Sequence, residues 1–252
     1  MPMTHTIRVG LFGLGKAGKE VATQLQDDPA VKLCWAVRGS SHAHGNKQIF
    51  DTIPTYAASE LNLPILLAEQ PIDFIVDFSS ADTCLSYADI ASENGIGIIS
   101  AVSSYKKRHL ECLHTASKNT AVLYSPNITL GINFIIIAAK VLRKLAPHAG
   151  VEVIEEHFHD KKEVSGTAIR IAELLDLDAD LHVNSIRVGG IVGRHEIIFG
   201  FPYQTIRLTH DSISRAAFGQ GALFAIKNLC GRPNGFYTME QLVSEAFSAA
   251  LN

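Results

Sequence analysis

The chain has 252 residues, of which 47 % are hydrophobic and 19 % charged, and its formal net charge is −3. This is an ordinary globular balance with room for one large domain or two small ones. It excludes the clustered basic surface of a nucleic-acid binder, and the short run Lys106-Lys107-Arg108 reads as a solvated helix face.

In chain order, IRVGLFG predicts a strand and KAGKEVATQLQ an amphipathic helix. VKLCWAV, DFIVDF, GIGIIS and AVLYSPN predict four further strands. CLSYADIASENG and KKRHLECLHTASKN supply helices among them. Apolar strands separated by helices imply a parallel sheet covered on both faces. INFIIIAAKVLRKLA is then a long apolar helix, followed by VEVIEEHFH, HVNSIRVGGI, HEIIFGF and QTIRLTHDS. The last three are β-like with partial alternation, the pattern of an antiparallel or mixed sheet in a second domain. AAFGQGALFAIKNLC predicts another helix, and GFYTMEQLV the start of a C-terminal one. The domain boundary is expected near Ser125-Pro126-Asn127.

The start, MPMTHTIRVGLFG, lacks a charged region ahead of a long apolar core, so no signal peptide is expected. The longest apolar run, Phe134 to Ala139, is far short of the roughly 20 residues that span a bilayer. Cys34, Cys84, Cys112 and Cys230 show no paired spacing. They read as small buried hydrophobes in a reducing cytoplasm, not as a disulfide frame or a zinc site.

Gly13-Leu14-Gly15-Lys16-Ala17-Gly18 is a GxGxxG loop directly between a strand and a helix. The first glycine permits the tight turn, the second lets backbone approach a pyrophosphate, and the helix N-terminus attracts the anion. The second strand ends AVRGSS, with Arg38, Ser40 and Ser41 where an acidic residue would bind the ribose hydroxyls of NAD. An arginine fork suits a 2′-phosphate, so the loop reads as binding NADPH or NADH, with Arg38 favouring the phosphorylated form. A solvent-facing arginine at a strand end is the alternative.

EEHFHDKKEVSGTA, residues 155–168, gathers two histidines, two lysines and a Ser-Gly-Thr turn. On a strand, Glu155, His157 and His159 share one face. That face could bind a metal, be a solvated edge, or line a substrate site with a histidine as general acid. Ser165-Gly166-Thr167 leads into IRIAELL, and such a helix start offers N–H groups and hydroxyls to a carboxylate. It also serves as a plain N-cap. Lys161 and Lys162 add positive charge, so the segment suits a small anionic molecule.

The chain resembles the 4-hydroxy-tetrahydrodipicolinate reductase (dihydrodipicolinate reductase) family of lysine and diaminopimelate synthesis. The resemblance runs through GLGKAG (13–18), DFIVDFSS (73–80), SPNITLGIN (125–133) and EEHFHDKKEVSGTA. It continues in IRVGGIVGRHEIIF (186–199), SRAAFGQGA (214–222) and GFYTMEQLV (235–243). It implies an α/β chain of two parts. Residues 1–126 with 230–252 would form a Rossmann-like dinucleotide-binding domain on a parallel sheet. Residues 127–229 would form an α+β domain with a mixed sheet that binds a cyclic dicarboxylate and builds a homotetramer, with no nucleic-acid or membrane partner. The resemblance puts the catalytic histidine on His157, the catalytic lysine on Lys161 and substrate contacts on Gly166 and Thr167; Ser165 and Phe158 are expected to bind substrate beside them. Cofactor contacts fall on Gly13, Gly15, Lys16, Ala17, Gly18, Arg38, Ala101, Val102, Ser103, Ser125, Pro126, Asn127 and Ile128. His195 and Arg187 are read either as lying near the cleft between domains or as packing residues. Arg215 approaches the cofactor on this reading, and Asp73 and Asp77 are structural.

The chain departs from the family pattern in three places. Phe158 stands where the family has a second histidine, and a phenylalanine cannot donate a hydrogen bond to a substrate carboxylate. Asp-Ala-Pro before Ser-Gly-Thr is shortened to Glu163-Val164, which leaves Lys162 as a second candidate for the lysine role. Gly-Thr-Thr-Gly becomes Ala101-Val102-Ser103-Ser104, which loses both glycines and one hydroxyl. Besides the reductase, two readings remain: a related dehydrogenase acting on another small amine or carboxylate, and a non-catalytic nucleotide-binding paralogue.

Overall fold

A computed structural model describes residues 6–39 and 53–251. The described residues pack into two compact units.

The first unit is an all-parallel sheet. Its strands are β1 (Ile7–Phe12), β2 (Val31–Arg38), β3 (Thr55–Ala57), β4 (Phe74–Asp77), β5 (Gly97–Ser100) and β6 (Ala121–Tyr124). The helices α1 (Lys16–Asp27), α2 (Leu63–Glu69), α3 (Cys84–Glu93) and α4 (Lys107–Ala116) intervene. The near-continuous burial of β1, β4 and β5 is what a sheet covered on both faces requires. Trp35 fills the core with no exposed surface, and its indole N–H donates to the Gln70 carbonyl at 3.3 Å. Asp73 pins β1 to β4 by accepting from the Arg8 backbone N–H at 2.7 Å and from its guanidinium at 2.8 Å.

The second unit contains α5 (Leu130–Leu145), β7 (Gly150–His157), α6 (Gly166–Leu174), α7 (Ala179–His182), β8 (Val183–Arg187), β9 (Arg194–Gly200) and β10 (Thr205–Asp211). Its four-stranded sheet has the order β10-β9-β7-β8. β7 runs parallel to β8 and antiparallel to β9, so the sheet is mixed. Ile132, Ile136 and Ala139 of α5 and Ala168 and Ile171 of α6 share one core with Val151, Val153, Ile197 and Phe199 of the strands. Two turns of helical spacing bring the α5 residues to one face, and alternation does the same for the strands.

The chain closes with α8 (Ala216–Leu229), β11 (Gly235–Tyr237) and α9 (Met239–Ala250). β11 pairs in parallel with β6, which makes a seven-stranded sheet of order β11-β6-β5-β4-β1-β2-β3. Gly235–Tyr237 is therefore a strand where the sequence predicts a helix start, and the helix begins after Thr238, whose Oγ1 accepts from Gln241 N–H at 3.2 Å. The units divide as Phe218–Leu242 with the residues up to Ile128, and Val243 onward with Thr129–Ala217. The expected division puts Phe218–Leu229 in the second unit and the whole of α9 in the first. In the packing, α8 faces first-unit partners: Phe218 lies 6.5 Å from the Phe78 ring and Lys227 Nζ pairs with Asp28 at 2.5 Å. Phe247 of α9 packs on Phe134 of α5.

Candidate active site

In the first unit the chain reverses its direction of progress across the sheet between β1 and β4. Ligands of open parallel sheets bind outside the carboxyl ends of strands at such a point. Gly13 leaves β1 there with φ +96°, and a Cβ on it would come within 2.5 Å of the Phe78 backbone. Its N–H donates to Val37 O at 2.8 Å. Gly15 caps α1 with no side-chain acceptor, and the first turn holds no acidic residue. Lys16 and Ala17 open the helix. Gly18 is buried against the turn so closely that a Cβ would lie 1.9 Å from Gly13 O. The first N–H groups of α1, and its positive dipole end, are thereby left for an anion.

Beside this turn is a cleft of about 270 Å³ lined by Ala17, Phe78, Ser79, Ala101, Val102, Ser103, Ser104, Pro126, Ile128 and Phe218. A second cleft of about 530 Å³ lies along Phe12, Asn62, Ser80 and Thr83. The smaller one unites six of the expected cofactor residues from three separate chain segments. Ser104 of the altered loop belongs to its lining as well, as do Phe78, Ser79 and Phe218, which the sequence reading did not single out. Ser125 contributes by position: its Oγ donates to Asn127 O at 2.9 Å and shapes the turn that presents Pro126 and Ile128. Asn127 is half-buried in that turn. Arg38 ends β2 next to the glycine turn, because Val37 is the strand partner of Phe12. Ser40 and Ser41 lie outside the described residues.

Asp77 braces the loops that line the smaller cleft. Its buried carboxylate accepts from Ser79 N at 2.8 Å, Ser79 Oγ at 2.5 Å and Tyr87 Oη at 2.7 Å. Tyr105 Oη reaches it at 3.4 Å and also pairs with Ser100 Oγ at 2.8 Å. Burial raises the Asp77 carboxyl above its ordinary range, and the hydrogen bonds from Ser79 and Tyr87 oppose that shift.

In the second unit, β7 ends at His157. Glu155 and His157 share a face as alternation predicts, but the strand stops before His159, which is exposed. Glu155 has no exposed surface. Its Oε1 accepts from Arg187 Nη2 at 2.5 Å, Ser185 Oγ at 2.7 Å and Ser165 N at 3.1 Å. Its Oε2 accepts from Arg187 Nη1 at 2.8 Å and lies 2.5 Å from His157 Nδ1. Burial alone would raise this carboxyl; the hydrogen bonds from Arg187, Ser185 and His157 outweigh it and hold the group at about 2. With these five bonds in place the carboxylate is committed to its protein donors. Among the described residues no three His, Cys, Asp or Glu side chains are placed to share a metal ion.

Arg187 does more than pair with Glu155. Its Nε donates to Lys161 O and its Nη2 to Glu163 O, both at 2.9 Å, which fixes the loop carrying the two lysines. Lys161 is half-buried and Lys162 exposed. Phe158, just past β7, is 45 % exposed. Ser165 is the N-cap of α6, and its Oγ lies 2.8 Å from His195 Nε2. Gly166 and Thr167 form the first turn of α6, with open space where a Gly166 Cβ would stand. His195 is buried, and its ring meets that of His157 edge-on at 5.4 Å. Burial first, then the charges of His157 and His210, push His195 down to about 4, so it is neutral at physiological pH. Arg187 and His195 thus both bond to the cluster that surrounds Glu155 and Ser165. The parallel pairing of β7 with β8, which sets His157 beside Arg187, is a long-range contact with no local signal.

Comparison with known proteins gives the family of the chain. Residues 7–128 match the family model for the N-terminus of dihydrodipicolinate reductase, and residues 127–243 match that for its C-terminus. The chain is 29 % identical to the 4-hydroxy-tetrahydrodipicolinate reductase of Caldanaerobacter subterraneus subsp. tengcongensis, over 95 % of this chain and 99 % of the relative. It is 31 % identical to that of Lawsonia intracellularis over 74 % of this chain and 82 % of the relative. Among solved structures, dipicolinate-bound dihydrodipicolinate reductase from Paenisporosarcina sp. TG-14 shares the fold. The TM-score is 0.78 at 19 % identity, covering 94 % of this chain and 99 % of that one. An amine dehydrogenase from Mycobacterium smegmatis shares it with a TM-score of 0.62 at 10 % identity, covering 95 % and 97 %. On the two family models, which together span residues 7–243, the chain belongs to the dihydrodipicolinate reductase family.

Proposed function

We propose that the chain reduces 4-hydroxy-tetrahydrodipicolinate to tetrahydrodipicolinate with NADPH or NADH, in the route to diaminopimelate and lysine. The observation that carries this reading is the His157 imidazole, held by a buried carboxylate in a chain matched along most of its length by reductase relatives.

The first unit fits a dinucleotide. Gly13, Gly15 and Gly18 make the close turn, Lys16 and the start of α1 offer positive charge to a pyrophosphate, and Arg38 stands at the end of β2, where a ribose would lie. When bound, the nicotinamide supplies the hydride. Residues 101–103 and 125–128 shape the cleft for it.

The second unit manages the dicarboxylate and its proton. His157 presents Nε2, since Nδ1 is occupied by Glu155. Lys161 is the favoured lysine: it is half-buried on a loop tied down by Arg187, and its charge bears on His195, whereas Lys162 is exposed. Ser165 caps α6, and the open first turn at Gly166 and Thr167 is a place for a substrate carboxylate. Phe158 offers that substrate an apolar contact only. We extend the reading to a homotetramer acting in the cytoplasm, as the resemblance implies. The four cysteines are unpaired, and no described helix is long and apolar enough to cross a membrane.

The test is a coupled assay in which a synthase generates the unstable substrate and loss of nicotinamide absorbance is followed with NADPH and NADH separately. Synthase-dependent oxidation is expected, with His157→Gln cutting turnover by about 10²-fold or more while leaving NADPH affinity intact. A folded protein that binds NADPH but oxidises none of it would refute the reading. A loss of cofactor binding in His157→Gln equal to the loss of turnover would remove His157 from the catalytic role.

A further inference from the structure

We infer that Glu155 and Arg187 are positioning residues that fix the tautomer of His157, so that Nε2 alone exchanges a proton with substrate. This rests on the reading of His157 as the acid–base group, and adds how that group is set for its task.

The argument starts from what each atom can do. A carboxylate held at about 2 is ionised across the whole working range and only accepts hydrogen bonds. Nδ1 of His157, 2.5 Å from Glu155 Oε2, must therefore carry hydrogen. In neutral imidazole the other nitrogen then bears the lone pair, and in imidazolium it bears the second proton. Either way Nε2 is the exchanging atom. Glu155 cannot rotate away from this duty. Arg187 holds both of its oxygens in a planar fork, while Ser185 Oγ and Ser165 N hold Oε1. Arg187 is in turn fixed by the Lys161 and Glu163 carbonyls. A histidine acting in proton transfer gains from a partner that fixes its ring and stabilises its imidazolium form, as in the Ser-His-Asp arrangement.

The charge balance supports the same conclusion. The groups beside His157 are Glu155 on its own strand, its strand partner Arg187 on β8 and neutral His195 on β9, and the charge of Lys161 bears on His195. Glu155 is the one carboxylate among them. Arg187 holds that carboxylate in place, so it orients the imidazole. Gly193 leaves room at the other nitrogen, where a Cβ would stand 3.0 Å from Nε2.

The experiment uses the full chain carrying [15N]histidine, with the His157 signals assigned by their absence in His157→Gln. Long-range proton–nitrogen correlation above the His157 titration is expected to show a protonated Nδ1 and a bare Nε2. In Glu155→Gln the preference for that form is lost, so that an Nε2–H signal appears, and kcat falls while cofactor affinity holds. Glu155→Asp, which keeps an accepting carboxylate, restores much of the Nδ1–H form. An Nε2–H form in the wild type, or an unchanged tautomer in folded Glu155→Gln, overturns the inference. The wild-type measurement stands even if Glu155→Gln does not fold. It also separates this inference from the functional reading: the expected tautomer together with full turnover in His157→Gln would refute the reading and leave the positioning intact.

Discussion

Arg187 grips the Glu155 carboxylate at two points, 2.5 and 2.8 Å, around a side chain with no exposed surface. This pair makes the fold sensitive to acid. Glu155 ordinarily titrates near 4.5 and is held at about 2, so its contribution is complete above 4.5 and is lost as pH falls toward 2. His195 adds an earlier limb. It is held at about 4 against an ordinary 6.5, so the unfolded chain takes up its proton first and stability falls as pH drops from 6.5 to 4. Each limb is worth on the order of 3 kcal/mol at most. Thermal unfolding across pH is expected to show both limbs in the wild type. His195→Gln should flatten the upper one and Glu155→Gln the lower.

Gly193 should matter more to turnover than to stability. An alanine Cβ would stand 3.0 Å from His157 Nε2 and 3.5 Å from Cδ2. The ring cannot retreat without stretching its bond to Glu155, which is itself held by four further donors on Arg187, Ser185 and Ser165. Gly193→Ala is expected to lower kcat by about tenfold through a misplaced imidazole. The melting temperature should move by no more than about 3 °C. A melting point that falls steeply while residual kcat is unchanged would contradict this account.

Much of the scaffold was legible because local pattern and packing agree. IRVGLFG, DFIVDF and GIGIIS are short apolar runs that become β1, β4 and β5. The glycine spacing that predicts a phosphate turn is enforced by contacts of Gly13 with Phe78 and Gly18 with Gly13. Thr55–Ala57, Leu63–Glu69 and Gly235–Tyr237 were not legible as elements. The two strands are three residues long and pair with partners remote in sequence, β2 and β6. The helix is two turns long, too short to show a period. At the site, Glu155 and His157 were legible as sharing a strand face. The roles of Arg187, Ser185 and His195 were not, because strand pairing alone brings them to Glu155 and Ser165.

The glycine turn allows a sharper test of the dinucleotide site. In Gly18→Ala the new methyl would fall 1.9 Å from the Gly13 carbonyl oxygen, which is backbone and cannot swing aside. Strand end and helix start must separate. Overpacking of this kind costs about 1–3 kcal/mol, and here it acts on the atoms that meet the pyrophosphate. NADPH and NADH are both expected to bind about tenfold or more weakly in fluorescence titrations, while a dicarboxylate inhibitor still protects the second unit from proteolysis.

Arg38 should separate the two coenzymes. It closes β2 beside the turn, where the 2′-position of the ribose is read in dinucleotide folds. Arg38→Asp exchanges a planar donor fork for a carboxylate that repels phosphate but can accept from ribose hydroxyls. The ratio of the NADPH to the NADH dissociation constant is expected to rise by about 10- to 100-fold. Equal weakening of both coenzymes would mean that Arg38 supports the strand end without reading the phosphate.

Phe158 provides the test of the substrate. It lies just past the β7 strand end, 45 % exposed, and its ring has nothing to donate to a carboxylate. Its neighbour His157 faces the polar cluster, so the two positions divide an apolar and a polar contact at one strand end. On the proposed function, pyridine-2,6-dicarboxylate should compete with substrate, but weakly for want of a donor at this position. Phe158→His returns an N–H without disturbing a buried side chain. A hydrogen bond to a charged group is worth about 1.5–3 kcal/mol, so inhibition should tighten by at least about tenfold. Tighter inhibition together with a lower KM would place residue 158 at the dicarboxylate. Unchanged inhibition with a changed KM would point instead to a substrate whose second end is apolar, for which Phe158 is the matching contact.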